Sequence, residues 1–453
     1  MSRSLRFASR LGCALLLILL AQATAQQPKD PPKDPPKDKE KEPSAEEQKA
    51  KEAFLAGKLD DALKALQAAA KGNPAMAPPK VILSRWCLET QQGPQARVLL
   101  EQAAAEDAAH PEVMLTNASY ALAEGRLTDT ILSCQAALGL AENPRWDFDT
   151  KKRYQREARL GLVAAFEGRG DHESVKLNLT ALLTADPKNA QLRQRLARAN
   201  FLLNRPEDAF TDLQTAFKDD PTLDPPELGM AQLWTQKPDF TKADEWYSKA
   251  VGAHSNSAKV HRGFAGYLLD RGRLEPAKAH LAAAQKIEPT ARDTKSLAGL
   301  LARYSRDYAT ATQIFEELMR DYPSFGFATA NLALVLAESG DTKAKERAIG
   351  LSENHAKQNP RSGEARAIYA YCLFKAGRTA DAGNVARSAF GLGAITPDGA
   401  YFLAKILTDR GATEDAHKVI KAACESKDAF VYRKEGEALL AELDKKVTPP
   451  KKP

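Results

Sequence analysis

The chain has 453 residues, of which 43% are hydrophobic and 7% aromatic, and a formal net charge of +6. Length alone would suggest about three globular domains. Setting aside Arg3, Arg6 and Arg10 leaves a charge of +3, too weak to argue for nucleic acid, whose binding usually needs a concentrated basic stripe.

Residues 1–25 have the pattern of a secretory leader. Arg3, Arg6 and Arg10 form a basic start, residues 11–21 (LGCALLLILLA) an apolar run, and Ala23-Thr24-Ala25 a small-residue cleavage site. The apolar run is short of the roughly 20 residues that cross a bilayer. We therefore expect cleavage before Gln26, a periplasmic or extracellular product and no integral span, with an uncleaved N-terminal anchor as the alternative. Cys13 precedes the apolar run, the wrong order for a lipoprotein box. Residues 26–43 repeat a PPKD unit without an apolar side chain to bury, and read as an extended linker.

From Ser44 the pattern changes. Ser44 with Glu47 is a capping box and predicts a helix start. A small or β-branched residue then recurs as Ala62, Ala96, Thr130, Val175, Ala209, Ala243, Ala277, Ala311, Ala348, Ala382 and Ala416; eight of the ten steps are 34 residues, and the others are 45 and 37. Other positions keep the same beat. Glycine stands five residues before this anchor at Gly57, Gly125, Gly170, Gly272, Gly377 and Gly411, where it can take the left-handed conformation that ends a helix. Leu66, Leu100, Leu179, Leu213, Tyr247, Leu281, Phe315 and Ile420 follow four residues after it, on the same helix face. Proline closes several units, at Pro74, Pro187, Pro221, Pro289, Pro323 and Pro360, because it cannot continue a helix. A fixed period with two helices per unit means a stack whose members share one continuous core.

Ala265, Gly272, Ala277, Leu281, Ala284 and Pro289, with Gly299, Ala311, Phe315 and Pro323 one unit on, resemble the tetratricopeptide repeat family. The resemblance covers residues 44–428 and implies an all-α, right-handed superhelical solenoid of about eleven helix-turn-helix units. Residues 429–453 would add a capping helix, carrying Tyr432, Leu439, Leu440 and Leu443, and a polar tail. The family's early tryptophan is missing throughout, and His261 occupies its place in the seventh unit. About eleven extra residues near 142–152 (ENPRWDFDTKK) interrupt the register. With Trp146 and Phe148 they would form a contact loop, a lid or a lengthened helix.

The chemistry-bearing residues form no catalytic constellation. HExxH, GxSxG, GxxxxGK[ST] and GxGxxG are missing, and no two of the seven histidines stand three or four apart, so no helical metal pair is expected. Cys87, Cys134, Cys372 and Cys424 fall in predicted helices and read as small buried side chains. Asn117 and Asn178 match the glycosylation pattern, again within predicted helices. The run Lys151, Lys152, Arg153, Arg156 and Arg159 reads as a solvated helix face. Neither enzyme activity nor a cofactor or metal is expected. The resemblance implies instead a protein or peptide partner held in a concave groove lined by the first helices. In that register stand Gln194, Arg198, Lys259, Arg262, Arg303, Tyr371, Phe374, Tyr401 and Lys405. The lysine–asparagine clamp of chaperone-binding relatives is not present. An envelope assembly component, acting by oligomerisation or tethering through its ends and the insertion, is the alternative.

Overall fold

The structure, a computed structural model, describes residues 44–447 except 74, 75, 91, 238, 427 and 429. The leader, the linker, the final tail and Pro74 lie outside the described residues.

Twenty-three α-helices are found among the described residues, in two compact units divided at Pro226. The N-terminal unit holds α1 (Ala45–Leu55), α2 (Leu59–Gly72), α3 (Pro79–Glu89), α4 (Gly93–Glu106), α5 (Pro111–Ala123), α6 (Leu127–Ala141), α7 (Phe148–Arg169), α8 (His172–Ala185), α9 (Ala190–Leu202) and α10 (Pro206–Asp219). The C-terminal unit holds α11 (Pro226–Gln236), α12 (Phe240–Ala253), α13 (Ala258–Asp270), α14 (Leu274–Ile287), α15 (Arg292–Tyr304), α16 (Tyr308–Asp321), α17 (Gly326–Ala337), α18 (Thr342–Gln358), α19 (Gly363–Lys375), α20 (Thr379–Ala389), α21 (Pro397–Asp409), α22 (Thr413–Glu425) and α23 (Arg433–Val447).

Every even-numbered helix from α2 to α22 carries one anchor residue, and all eleven anchors are at most 1% exposed. The larger apolar residue one turn later is buried in each unit that has one, from Leu66 to Ile420. Side chains four apart share a helix face, so each second helix wedges one small and one large residue against its neighbours. The turns follow the same logic. Gly57, Gly125, Gly170, Gly272, Gly377 and Gly411 all have φ between +67° and +83°. In two of the units that lack glycine there, Asn204 (φ +60°) and Arg306 (φ +61°) take the same left-handed conformation, while Lys343 of the ninth unit lies within α18. The second helices ahead of Pro187, Pro221, Pro289, Pro323 and Pro360 each stop two residues before the ring. At the start of the array, the Ser44 amide donates to Glu47 Oε2 (2.7 Å) and the Glu47 amide to Ser44 Oγ (3.2 Å), completing the capping box.

The two breaks in register are extra helix. The insertion near 142–152 lengthens α7 to 22 residues, against 13 in α5. The three extra residues of the ninth unit extend α18 to 17 residues, against 14 in α16. Within each unit the first helices of successive pairs also touch one another: α3 with α5 and α5 with α7 in the N-terminal unit, and α13 through α21 in the C-terminal one. The odd-numbered helices are therefore the inner, more closely spaced layer of each unit.

Candidate binding surfaces on the inner helices

On the inner face of the N-terminal unit, α3, α5, α6 and α7 enclose an open cavity of about 340 Å³. Leu115, Ala118, Leu122 and Leu160 give it an apolar floor, and Arg85, Ser119 and Glu157 a polar rim. Beside it, Glu112 is 1% exposed and held by two guanidiniums, Arg85 Nη2 at 2.5 Å and Arg153 Nη1 at 2.7 Å. Burial alone would raise the Glu112 carboxyl. The two arginines override it and hold the group below its ordinary range. Glu157 goes the other way, pushed up by burial and then by the charge on Glu112. Cys134 lines the cavity floor with a thiol that burial raises to about 11, so it is a packing residue and a poor nucleophile.

Arg85 and Ser119 occupy the same position relative to their anchors as Arg198, and Leu115 and Leu160 the same as Gln194. The register that pointed to the fifth unit thus had further members in earlier ones. Leucine and serine carry no recognition signal of their own, whereas Arg85 was legible by the same rule as Arg198 and was missed. On α9, Gln194 is half-buried and Arg198 exposed.

The C-terminal unit treats its inner residues differently. Lys259 and Arg262 on α13 are half-buried. Arg262 pairs with Glu288 and lies 3.4 Å from Thr294 Oγ1. Arg303 is 7% exposed; its Nη1 donates to Asn331 Oδ1 (2.8 Å) and its Nη2 faces Asp398 Oδ2 (3.5 Å). Tyr371 is buried and donates its hydroxyl to Glu338 Oε1 (2.7 Å). Tyr401 is buried under Tyr432, rings stacked 5.1 Å apart. Phe374 and Lys405 are half-buried. Arg303, Tyr371 and Tyr401 thus meet around one centre, whereas Gln194 and Arg198 lie in the other unit. What the sequence did not reveal here is the role of Asp398, Glu338 and Tyr432. These contacts span 94 and 95 residues, and no local pattern encodes such a distance.

In the insertion, Trp146 is half-buried and T-shaped against His110 (4.9 Å) and Tyr154 (5.3 Å), and its Nε1 donates to Leu140 O (3.0 Å). Phe148 is 70% exposed, with Lys152 Nζ 5.0 Å from its ring centre. The nearby cations are mostly engaged: Lys151 with Glu142, Arg153 with Glu112, and Arg159 with Asn178. Asn178 is itself only 5% exposed.

The fold also makes a histidine pair that sequence spacing hid. His261 Nδ1 lies 3.2 Å from His280 Nδ1, and His261 Nε2 faces the Ser255 carbonyl at 2.9 Å. That leaves His261 Nδ1 as acceptor and His280 Nδ1 as donor. Two nitrogens are fewer than a structural metal site needs, and among the described residues no group of three or more metal-binding side chains exists. Cys87, Cys134, Cys372 and Cys424 are unpaired thiols.

Comparison with known proteins follows the same lines. Residues 53–118 match the tetratricopeptide repeat family model. No curated protein matches by sequence. Among solved structures, yeast Tom70 is 14% identical over 88% of this chain and 95% of its own, with a TM-score of 0.36. A tetratricopeptide repeat protein from Parabacteroides merdae is 16% identical over 64% and 98%, TM-score 0.36. A chain of the Naa15/Naa10 structure bound to HypK-THB is 16% identical over 90% and 68%, TM-score 0.33.

Proposed function

For this chain, a tetratricopeptide-repeat protein, we propose the role of an exported, non-enzymatic scaffold that binds a peptide or protein partner on the inner face of its N-terminal unit. The observation that carries this is the 340 Å³ cavity with its apolar floor and its Arg85 and Glu157 rim. It is built from helices that are already in place, so a partner side chain can enter with little ordering cost. Arg198 on α9 holds the repeat position of Arg85 and Ser119 and is exposed. Arginine suits such a position because it combines contact area with several donors. The leader at 1–25 and the linker at 26–43 would deliver the array to the periplasm or beyond and hold it at a distance from any surface.

The test uses a double variant, Ser119→Trp with Arg198→Glu. Both residues are exposed, so helix content and melting temperature should be preserved while partner capture from an envelope extract is lost. Undiminished capture by this variant would overturn the assignment. A second reading, assembly of an envelope structure through the insertion, is favoured by one observation, the 70% exposure of Phe148. It requires concentration-dependent association in sedimentation that Phe148→Ser abolishes.

A further inference from the structure

Residues 430–432 and the first turn of α23, up to Glu435, pack on inner helices of the C-terminal unit. The main chain is captured first: Asp398 Oδ1 accepts from the amides of Val431 (2.8 Å) and Tyr432 (3.4 Å). A side-chain anchor follows. The Tyr432 ring stacks on Tyr401 (13° between planes) and meets the Phe402 ring edge-on at 5.3 Å. Its hydroxyl reaches 3.5 Å from Glu338 Oε1, the oxygen that also accepts from Tyr371. Phe430 packs near Tyr401 (6.3 Å between ring centres). An ion pair closes the far end, Glu435 with Arg306, 129 residues away. The receiving residues come from α19 and α21 and from the turns that follow α15 (Arg306) and α17 (Glu338). These are the same inner helices from which the groove residues Arg303, Tyr371 and Tyr401 project.

With the segment in place Asp398 and Arg303 are 13% and 7% exposed at their side chains and face each other at 3.5 Å, and removing the segment takes two amide donors from that carboxylate. An occupant that reproduces these contacts supplies two consecutive free amides to Asp398, an aromatic side chain to Tyr401 and Phe402 and, three residues later, a carboxylate beside the exposed Arg306. We propose that the inner face of the C-terminal unit is a recognition site for peptide segments of this chemistry that turn into a helix, as residues 430–435 do on entering α23, and that residues 430–435 are its resident ligand and close it to other chains. This site is separate from the cavity of the N-terminal unit, and neither proposal depends on the other.

The experiment uses the full-length protein and a fluorescein-labelled synthetic peptide of residues 428–437, read by anisotropy. Wild type should not bind it, because the site is filled. Tyr432→Ala removes the resident anchor and should bind the peptide. Adding Asp398→Asn to that variant should weaken binding by about tenfold or more, because a neutral amide oxygen is a weaker acceptor than a carboxylate. Equal binding by wild type and Tyr432→Ala, no binding by a folded Tyr432→Ala, or indifference to Asp398→Asn would each overturn the proposal. Hydrogen exchange on wild type guards against a Tyr432→Ala variant that does not fold. The Val431 and Tyr432 amides should exchange through a local opening, about a hundredfold faster than the core amides of α19 and α21. Exchange of all of them together would show that the segment is an inseparable part of the fold, and would likewise overturn the proposal.

Discussion

Position 299 shows how finely a single residue is set in this array. A β-carbon there would stand 2.7 Å from two ring atoms of Phe315, which is fully buried. Gly299→Ala should lose about 1–3 kcal/mol to overpacking, more than the roughly 1 kcal/mol that alanine returns in helix propensity, and lower the melting temperature. Gly350 lies mid-helix in α18 with nothing within 4 Å of an added β-carbon. Gly350→Ala should therefore stabilise by up to about 1 kcal/mol, and thermal melts of the two variants side by side check both signs. Asp270 supplies a pH dependence. Burial, reinforced by the charge of Asp428, pushes its carboxyl from 3.8 to about 7. The folded state then holds a proton that the unfolded state releases near pH 4, so stability falls as pH rises from about 4 to about 7 and is level above that. In Asp270→Asn that decline should be shallower, as chemical denaturation between pH 4 and pH 8 would show.

At the scale of elements, each helix pair is held by a short list of buried contacts, and α23 shows what the end of a stack requires. Leu439 and Leu443 are its buried apolar residues, 7% and 0% exposed, and the other face is polar. Leu443→Ala should cost about 2–5 kcal/mol, read as faster amide exchange in α22 and α23 with the other helices unaffected. The capping helix was legible in the sequence through its apolar spacing, but its start was not. Tyr432 was expected as part of that helix. It precedes α23 and turns into the inner face, because Asp398 and Tyr401 offer it a better environment than the helix surface does. The insertion was legible as a break in register, while its form as two further turns of α7 depended on Trp146 finding His110 and Tyr154 to pack against.

For the whole molecule, stacking makes stability a sum of near-neighbour terms. The contacts gather into two units divided at Pro226, so hydrogen exchange of the intact protein should resolve two groups of amides that open with different free energies. Within the N-terminal unit the α1–α2 pair should exchange fastest, since as the first described pair it packs against a neighbour on one side only. A single free energy for all slow amides would contradict this picture.

The sequence by itself determined the helix pairs, their turns and their shared core. Each of these depends on residues fewer than about 40 apart, and a repeated pattern shows them many times over. Even two of the exceptions kept to it: Asn204 and Arg306 adopt the backbone that glycine adopts elsewhere. Only the tertiary structure decided which inner residues are available. Arg198 and Tyr371 sit at equivalent positions of their repeats, yet one is exposed and the other is buried beneath a chain segment from the far end of the unit. The difference arises because the fold brings Arg303, Glu338, Asp398 and Tyr432 together across 34 to 95 residues, and no local stretch of sequence encodes contacts at such separations.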